Sequence, residues 1–317
     1  MLPLKMKLFI LFFLIFATVI GVFYGNSYIL TVYQHSFFYR NASLCACDKC
    51  LMEHDPWLSE LMEASPEPFL SVTNNISEDI FNWWKRIQRD KRNYTFYNKT
   101  VDKMFHIFPP NVSSTRPSPD LCRTCAVVGN SGNLMGSFYG PLIDFHDIVI
   151  RMNRGPTKGF ERDVGTKTTH HVMYPHSSTN LDNTTYLVLF PFKTYDLEWL
   201  IQSFTQRQQT TANSGLKANK DLVMILSPAF MKYVHHVWLK RKGKYPSTGF
   251  MTLILSLHMC DEVSVFGFGA DRNGNWNHYY EKLKIKRLRT GHHAGNQEYK
   301  FIEELYKKKK ILFFRGW

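Results

Sequence analysis

The chain has 317 residues, of which 44% are hydrophobic and 21% charged; this is normal for a globular protein and excludes a low-complexity chain. Its net charge of +13 would raise nucleic-acid binding first in a cytosolic protein. The N-terminus excludes that context.

Lys5 and Lys7 precede an uncharged apolar run from Leu8 through Tyr24, and no charged side chain recurs until Arg40. That length matches the hydrocarbon core of a bilayer. Bulky residues (Phe9, Phe12, Phe13, Phe16, Phe23) favour an uncleaved anchor over a signal peptide with a small-residue cleavage site. The reading is a cytosolic tail over 1–7, a transmembrane anchor over 8–28, a stem over 29–44 and a lumenal body over 45–317. Asn-x-Ser/Thr acceptors at Asn41, Asn75, Asn93, Asn98, Asn111 and Asn183 fit a lumenal location. So do six cysteines, Cys45, Cys47, Cys50, Cys122, Cys125 and Cys260, an even number that reads as a disulfide framework whose pairing stays open. On spacing alone, Cys47-x-x-Cys50 with Cys122-x-x-Cys125 also fits a zinc site.

In chain order, a short helix is predicted over 57–64. A second follows Ser77, where an N-cap, early acids (Glu78, Asp79), late bases and apolar residues at helical spacing (Ile80, Phe81, Trp83, Trp84, Ile87) agree. Gln88 is the polar residue of interest at its end. Residues 93–121 read as a glycosylated connection with one helical turn near 101–105. A buried strand, Ala126-Val127-Val128, then empties into the turn Gly129-Asn130-Ser131-Gly132-Asn133. A second strand, 147–152, delivers Asn153. Strands over 186–190, 222–226 and 262–269 alternate with helices over 196–204, 229–240 and 250–259. This alternation predicts an α/β fold with a mainly parallel, doubly wound sheet.

Such sheets bind ligands beyond the carboxyl ends of their strands. Gly129–Asn133 and Asn153 fall there, and an asparagine amide can donate and accept to a base or sugar edge. Tyr245-Pro246-Ser247-Thr248-Gly249 opens the 250–259 helix, where outward-facing amides favour an anion; simple capping is the plainer reading. His278 and His293 lie in loops after the last strands, where imidazole suits acid–base work near neutral pH. No Asp-x-Asp occurs.

The segment Cys122–Tyr174 resembles the long donor-binding motif of the animal sialyltransferases, glycosyltransferase family 29. Tyr245–Gly249 through Cys260-Asp-Glu-Val is similar to their short motif, His278-Tyr-Tyr-Glu281 to the third, and His293-x-x-x-x-Glu298 to the very short one. The Cys45–Cys50 cluster, Trp83-Trp84 and the run Pro191–Trp199 further resemble the β-galactoside α-2,3-sialyltransferases, with the match nearest those acting on Galβ1-3GalNAc. The resemblance implies a single Rossmann-like (GT-A-variant), disulfide-tied domain in a Golgi membrane enzyme. Its reaction would move sialic acid from CMP-sialic acid to the 3-hydroxyl of galactose on glycoproteins or glycolipids, with inversion and without a metal or other cofactor. It implies donor contacts at Asn130, Ser131, Asn133, Asn153, Tyr174, Tyr233, Tyr245, Ser247, Thr248, Gly249 and Gly269, and an acceptor contact at Gln88. His278 would stabilise the leaving phosphate and His293 would be the base. The implied disulfides are Cys45–Cys50, Cys47–Cys122 and Cys125–Cys260. A silent, membrane-anchored glycan- or nucleotide-binding protein on the same fold is the principal rival, and both histidines argue against it; a sialyltransferase of different linkage is the other alternative. Nucleic acid is not an expected partner.

Overall fold

The computed structural model describes residues 55–109, 122–205, 216–282 and 291–316. The expected anchor and stem, Cys45, Cys47, Cys50, Asn41, Asn111 and the basic run after Lys282 fall outside them. No helix among the described residues is long and apolar enough to cross a membrane.

The organising element is a seven-stranded sheet whose paired strands all run parallel. It comprises β1 (Thr124–Val128), β2 (Ile148–Met152), β3 (His170–Met173), β4 (Tyr186–Leu189), β5 (Val223–Ile225), β6 (Glu262–Phe266) and β7 (Leu312–Phe314), in the spatial order β5-β4-β3-β2-β1-β6-β7. A parallel sheet is covered on both faces, which is why its strands read as nearly continuous apolar runs. Along β1 the side chains alternate. Cys125 and Val127 enter the larger core, while Ala126 and Val128 enter a smaller one with Leu134, Ile143, Val149, Val164 and Phe266.

Helices α1 (Pro56–Glu63), α2 (Glu78–Ile87) and α3 (Tyr94–Ile107) precede the sheet. Ser77 caps α2 as predicted, its Oγ accepting from Ile80 N–H. Trp84 is fully buried and its indole N–H donates to Pro191 O at 2.9 Å, pinning α2 beside the end of β4. The single turn expected near 101–105 is instead the whole of α3. Asn93 caps it, and Tyr97, Val101 and Met104 are buried. Its sequon and loop-like flanks obscured a helix that tertiary burial of one face stabilises.

Short helices α4 (Gly140–Asp144) and α5 (Glu161–Val164) line the smaller core. On the other face lie α6 (Thr194–Thr205), α7 (Pro228–Tyr233), α8 (Thr248–Met259) and α9 (Gly295–Lys307). The helix predicted over 229–240 stops being α-helical at Tyr233 and widens into a π-helical turn, Val234–Trp238. Helix α8 is buried almost all round, as its predominantly apolar sequence requires, with Thr252 and Ser256 returning their hydroxyls to backbone oxygens of the helix.

Cys260, the C-cap of α8, is bonded to Cys125 at the start of β1, the pair the family resemblance implied. Cys122 is also in a disulfide, with its partner outside the described residues. Neither Cys122 nor Cys125 is therefore available as a zinc thiolate.

Candidate active site

From β1 the chain steps outward through β2, β3, β4 and β5, then returns through α8 to place β6 on the other side of β1. The strand order reverses between β1 and β6, and a crevice opens beyond their carboxyl ends. The cavity there holds about 690 Å³.

Two strand-end loops form its floor. Gly129 N–H donates to Phe266 O and Ser131 N–H to Gly267 O; Ser131 Oγ donates to Gly269 O at 2.8 Å, and Asn133 Nδ2 to Phe268 O at 2.9 Å. This stitching explains the glycine at 129. A Cβ there would stand 2.3 Å from Gly267 O, well inside contact distance. Gly269 has φ +93°, which favours glycine.

Asn130 and Asn153 both line the cavity. Asn130 Nδ2 donates to Met152 O at 3.1 Å, which turns its side-chain oxygen toward the remaining partners. Asn153 follows β2 in a left-handed conformation, φ +56°, which asparagine tolerates. Its Oδ1 accepts from Ser177 Oγ and its backbone oxygen from His171 Nε2, leaving the amide NH₂ to present. Two asparagines lining one cavity supply amide groups that can both accept from and donate to the edge of a nucleoside.

Helix α8 aims its N-terminus at the same cavity, with Ser247, Thr248 and Gly249 in the lining. Ser247 Oγ accepts from Phe250 N–H, capping the helix. Its own groups go to Glu298 on α9: the Ser247 N–H donates at 2.8 Å to one carboxylate oxygen and the hydroxyl at 2.6 Å to the other. Burial raises the Glu298 carboxyl above its ordinary range, opposed by these hydrogen bonds and by the field of His293. This clamp gives Glu298 a positioning role that spacing alone did not disclose.

His278 is held by a short ladder to the donor-side turn. Gly132 N–H donates to Asn277 O at 2.8 Å, Tyr279 N–H to Asn130 O at 2.9 Å, and Ser131 pairs with His278 as an antiparallel bridge. Its Nδ1 lies 2.9 Å from Glu281 Oε2, with both side chains half exposed. His293 Nδ1 is 3.2 Å from Tyr245 O. A carbonyl only accepts, so this contact protonates Nδ1 and puts the basic lone pair on Nε2. Rings run from Tyr174 to Phe192 (5.9 Å), Phe192 to Tyr245 (5.4 Å) and Tyr245 to His293 (5.0 Å), making a continuous aromatic wall.

Gln88, the C-cap of α2, also lines the cavity. Two residues expected in the site lie outside its lining. Tyr233 is buried, donating its hydroxyl to Leu61 O and accepting from Trp238 Nε1; it braces α1 against the π-helical turn. Asn133 is 3% exposed and serves the floor stitching described above. Lining residues with no role predicted from sequence include His176, Lys193, Asp196 and Trp276. The first three follow the ends of β3 and β4, so the strand-end rule would have drawn attention to them. Among the described residues, no group of three or more His, Cys, Asp or Glu side chains could hold a metal ion. Of the described sequon asparagines, Asn75, Asn93 and Asn183 are exposed and Asn98 is half-buried within α3.

A glycine-floored cleft at the switch point, facing a helix N-terminus, defines the class of α/β proteins that hold a nucleotide-type ligand. The family model for glycosyltransferase family 29 (sialyltransferase) matches residues 69–310, and the chain belongs to that family. The CMP-N-acetylneuraminate-beta-galactosamide-alpha-2,3-sialyltransferase 1 of Sus scrofa is 43% identical over 282 residues, covering 86% of this chain and 82% of that protein. The corresponding sialyltransferase 2 of Mus musculus is 41% identical, covering 86% and 80%. A crystal structure of a mammalian sialyltransferase in complex with Gal-beta-1-3GalNAc-ortho-nitrophenol superposes with a TM-score of 0.75 at 43% identity, covering 86% of this chain and all of that one.

Proposed function

We propose that this enzyme transfers sialic acid from CMP-sialic acid to the 3-hydroxyl of the terminal galactose of Galβ1-3GalNAc on glycoproteins or glycolipids, as a type II protein of the Golgi membrane anchored through residues 8–28. The observation that carries the reading is the convergence of Asn130, Asn153, the α8 N-terminus, His278 and His293 on one cavity from distant parts of the chain. The relatives named above support the donor and linkage.

In this reading Asn130 and Asn153 hold the cytidine and ribose edges, and Thr248 and the first amides of α8 hold the single phosphate, while Ser247, expected there from the resemblance, has its own donors on Glu298 and fixes the start of that helix. The galactose 3-oxygen attacks the anomeric carbon from the face opposite the phosphate, with inversion. The new C–O bond forms as the bond to the phosphate oxygen breaks. His293 Nε2 takes the hydroxyl proton, and charge collects on departing CMP, where His278 and the helix amides stabilise it. The one phosphate gains a second negative charge as the bond breaks; in this reading His278 and the helix amides meet that charge in place of a divalent ion, and full activity in EDTA is the expected outcome.

The test is His293→Ala in the purified enzyme. CMP binding and the melting temperature should persist while kcat falls about 10²–10⁴-fold, the usual worth of a positioned base. Near-unchanged kcat at neutral pH would remove His293 from this role.

A further inference from the structure

Between the π-helical turn and α8, residues 239–244 make a tight turn that the reaction above does not use. Lys240, Arg241, Lys242 and Lys244 crowd into it, and all are exposed. Lys240 and Arg241 are left-handed, at φ 48° and 62°, as is Gly243 at 74°. The turn is firmly built. Arg241 N–H donates to His235 O at 2.8 Å, and the buried His235 returns a bond from Nε2 to Gly243 O at 3.1 Å. Its far side is docked on the loop that carries His293. Lys244 N–H donates to His292 O at 2.9 Å, and a Cβ on Gly243 would stand 2.8 Å from Ala294 N.

Two non-glycine residues in left-handed backbone and the mutual repulsion of adjacent cations both oppose this arrangement. Among the described ion pairs, no carboxylate of the chain faces any of these four side chains. Exposed cations at this density make a positive field that attracts an anionic group. Trp83 of α2 packs on His235 and His236 at 5.9 and 5.5 Å, so the turn stands on the side of the cleft that carries Gln88 and His293, the acceptor side.

The geometry points to an anion subsite for the acceptor: Lys240, Arg241 and Lys242 recognise a carboxylate or sulfate carried by the same glycan beyond its terminal galactose. This rests on the sialyl-transfer reading and specifies the substrate class within it. The donor is an alternative source of negative charge, and so is an anionic bilayer; the experiment separates all three.

Steady-state transfer is measured for the wild type and for the triple variant Lys240→Gln, Arg241→Gln, Lys242→Gln. The acceptors are neutral Galβ1-3GalNAc and the same disaccharide bearing a sulfate or a uronic carboxylate at its GalNAc end. The wild type should favour the acidic acceptors, and added salt should erase the preference. In the variant, KM for the acidic acceptors should rise about three- to tenfold, the combined effect of a few exposed charge pairs, with kcat and the neutral acceptor's KM little changed. Equal changes for neutral and acidic acceptors would overturn the subsite, as would a rise confined to the donor KM. It is also overturned if the wild type shows no acidic preference. An effect seen only on acceptors embedded in anionic vesicles, and equal for both kinds, would assign the turn to the membrane instead. Absence of transfer to the neutral disaccharide by the wild type would overturn the proposed activity itself, a result distinct from the others.

Discussion

Glu298 shows how much of the site depends on a residue that need not touch substrate. It is 7% exposed, and both carboxylate oxygens are spent on Ser247. Removing it takes two hydrogen bonds from the half-buried Ser247 at the start of α8, and each lost bond costs about 0.5–1.5 kcal/mol. Glu298→Ala should therefore raise the KM for CMP-sialic acid by about tenfold or more and lower the melting temperature. Glu298→Gln keeps the shape and should fall between. An unchanged donor KM in Glu298→Ala would show that the α8 N-terminus is placed by something else. At Gly129 the prediction is steric: alanine would drive a methyl into Gly267 O, so the ends of β1 and β6 would have to part. The expected outcome is loss of CMP binding by calorimetry before loss of the far-ultraviolet circular dichroism of the folded sheet.

At the scale of elements, α8 is the strut of the molecule. Its N-terminus faces the cavity, while its C-cap is bonded through Cys260 to Cys125 across a sequence separation of 135. Twelve helical residues place that disulfide about 18 Å from the cavity. It therefore secures the strut without touching the ligand. Replacing both cysteines by alanine should cost about 2–5 kcal/mol, as is usual for a long closed loop. Donor KM measured below the lowered melting temperature should be unchanged; a large KM increase would mean that the bond also sets the tilt of α8. The π-helical turn matters at this scale as well, because it ends α7 early and delivers the cationic turn to the loop of His293.

The whole molecule carries a pH dependence of stability. His170 on β3 is 5% exposed, and burial pushes its pKa down to about 4, with the field of Arg123 adding to the effect; burial does the same to His258. A depressed histidine pKa means that the unfolded chain takes up a proton, near pH 6.5, that the folded chain refuses. Stability is complete above about pH 6.5 and is lost as pH falls toward 4, by up to about 3 kcal/mol for His170. Thermal melts should therefore drop steadily between pH 7 and 5. His170→Phe, which keeps a ring against Tyr186, should flatten part of that slope. An unchanged slope would place the titration elsewhere.

Much of this protein is legible in the order of its amino acids. The β1 and β2 runs, the caps at Ser77 and Ser247, the Gly-Asn turn and the succession of motifs are local patterns, and local pattern also marks Asn130, Asn153, His278 and His293 as polar groups at strand or loop ends. What local pattern does not supply is depth. The short run from His170 to Met173 carries no strand assignment in the sequence, yet it forms a central strand because neighbouring strands pair with it and bury it. Tyr233, a donor contact by the family resemblance alone, points into the packing beneath α1. The bond between Glu298 and Ser247, and the docking of Gly243 and Lys244 on the His292 loop, join residues about fifty apart. Residue type and spacing determine which chemistry is present. Only the folded sheet, by closing β6 against β1, decides which side chains share the cavity.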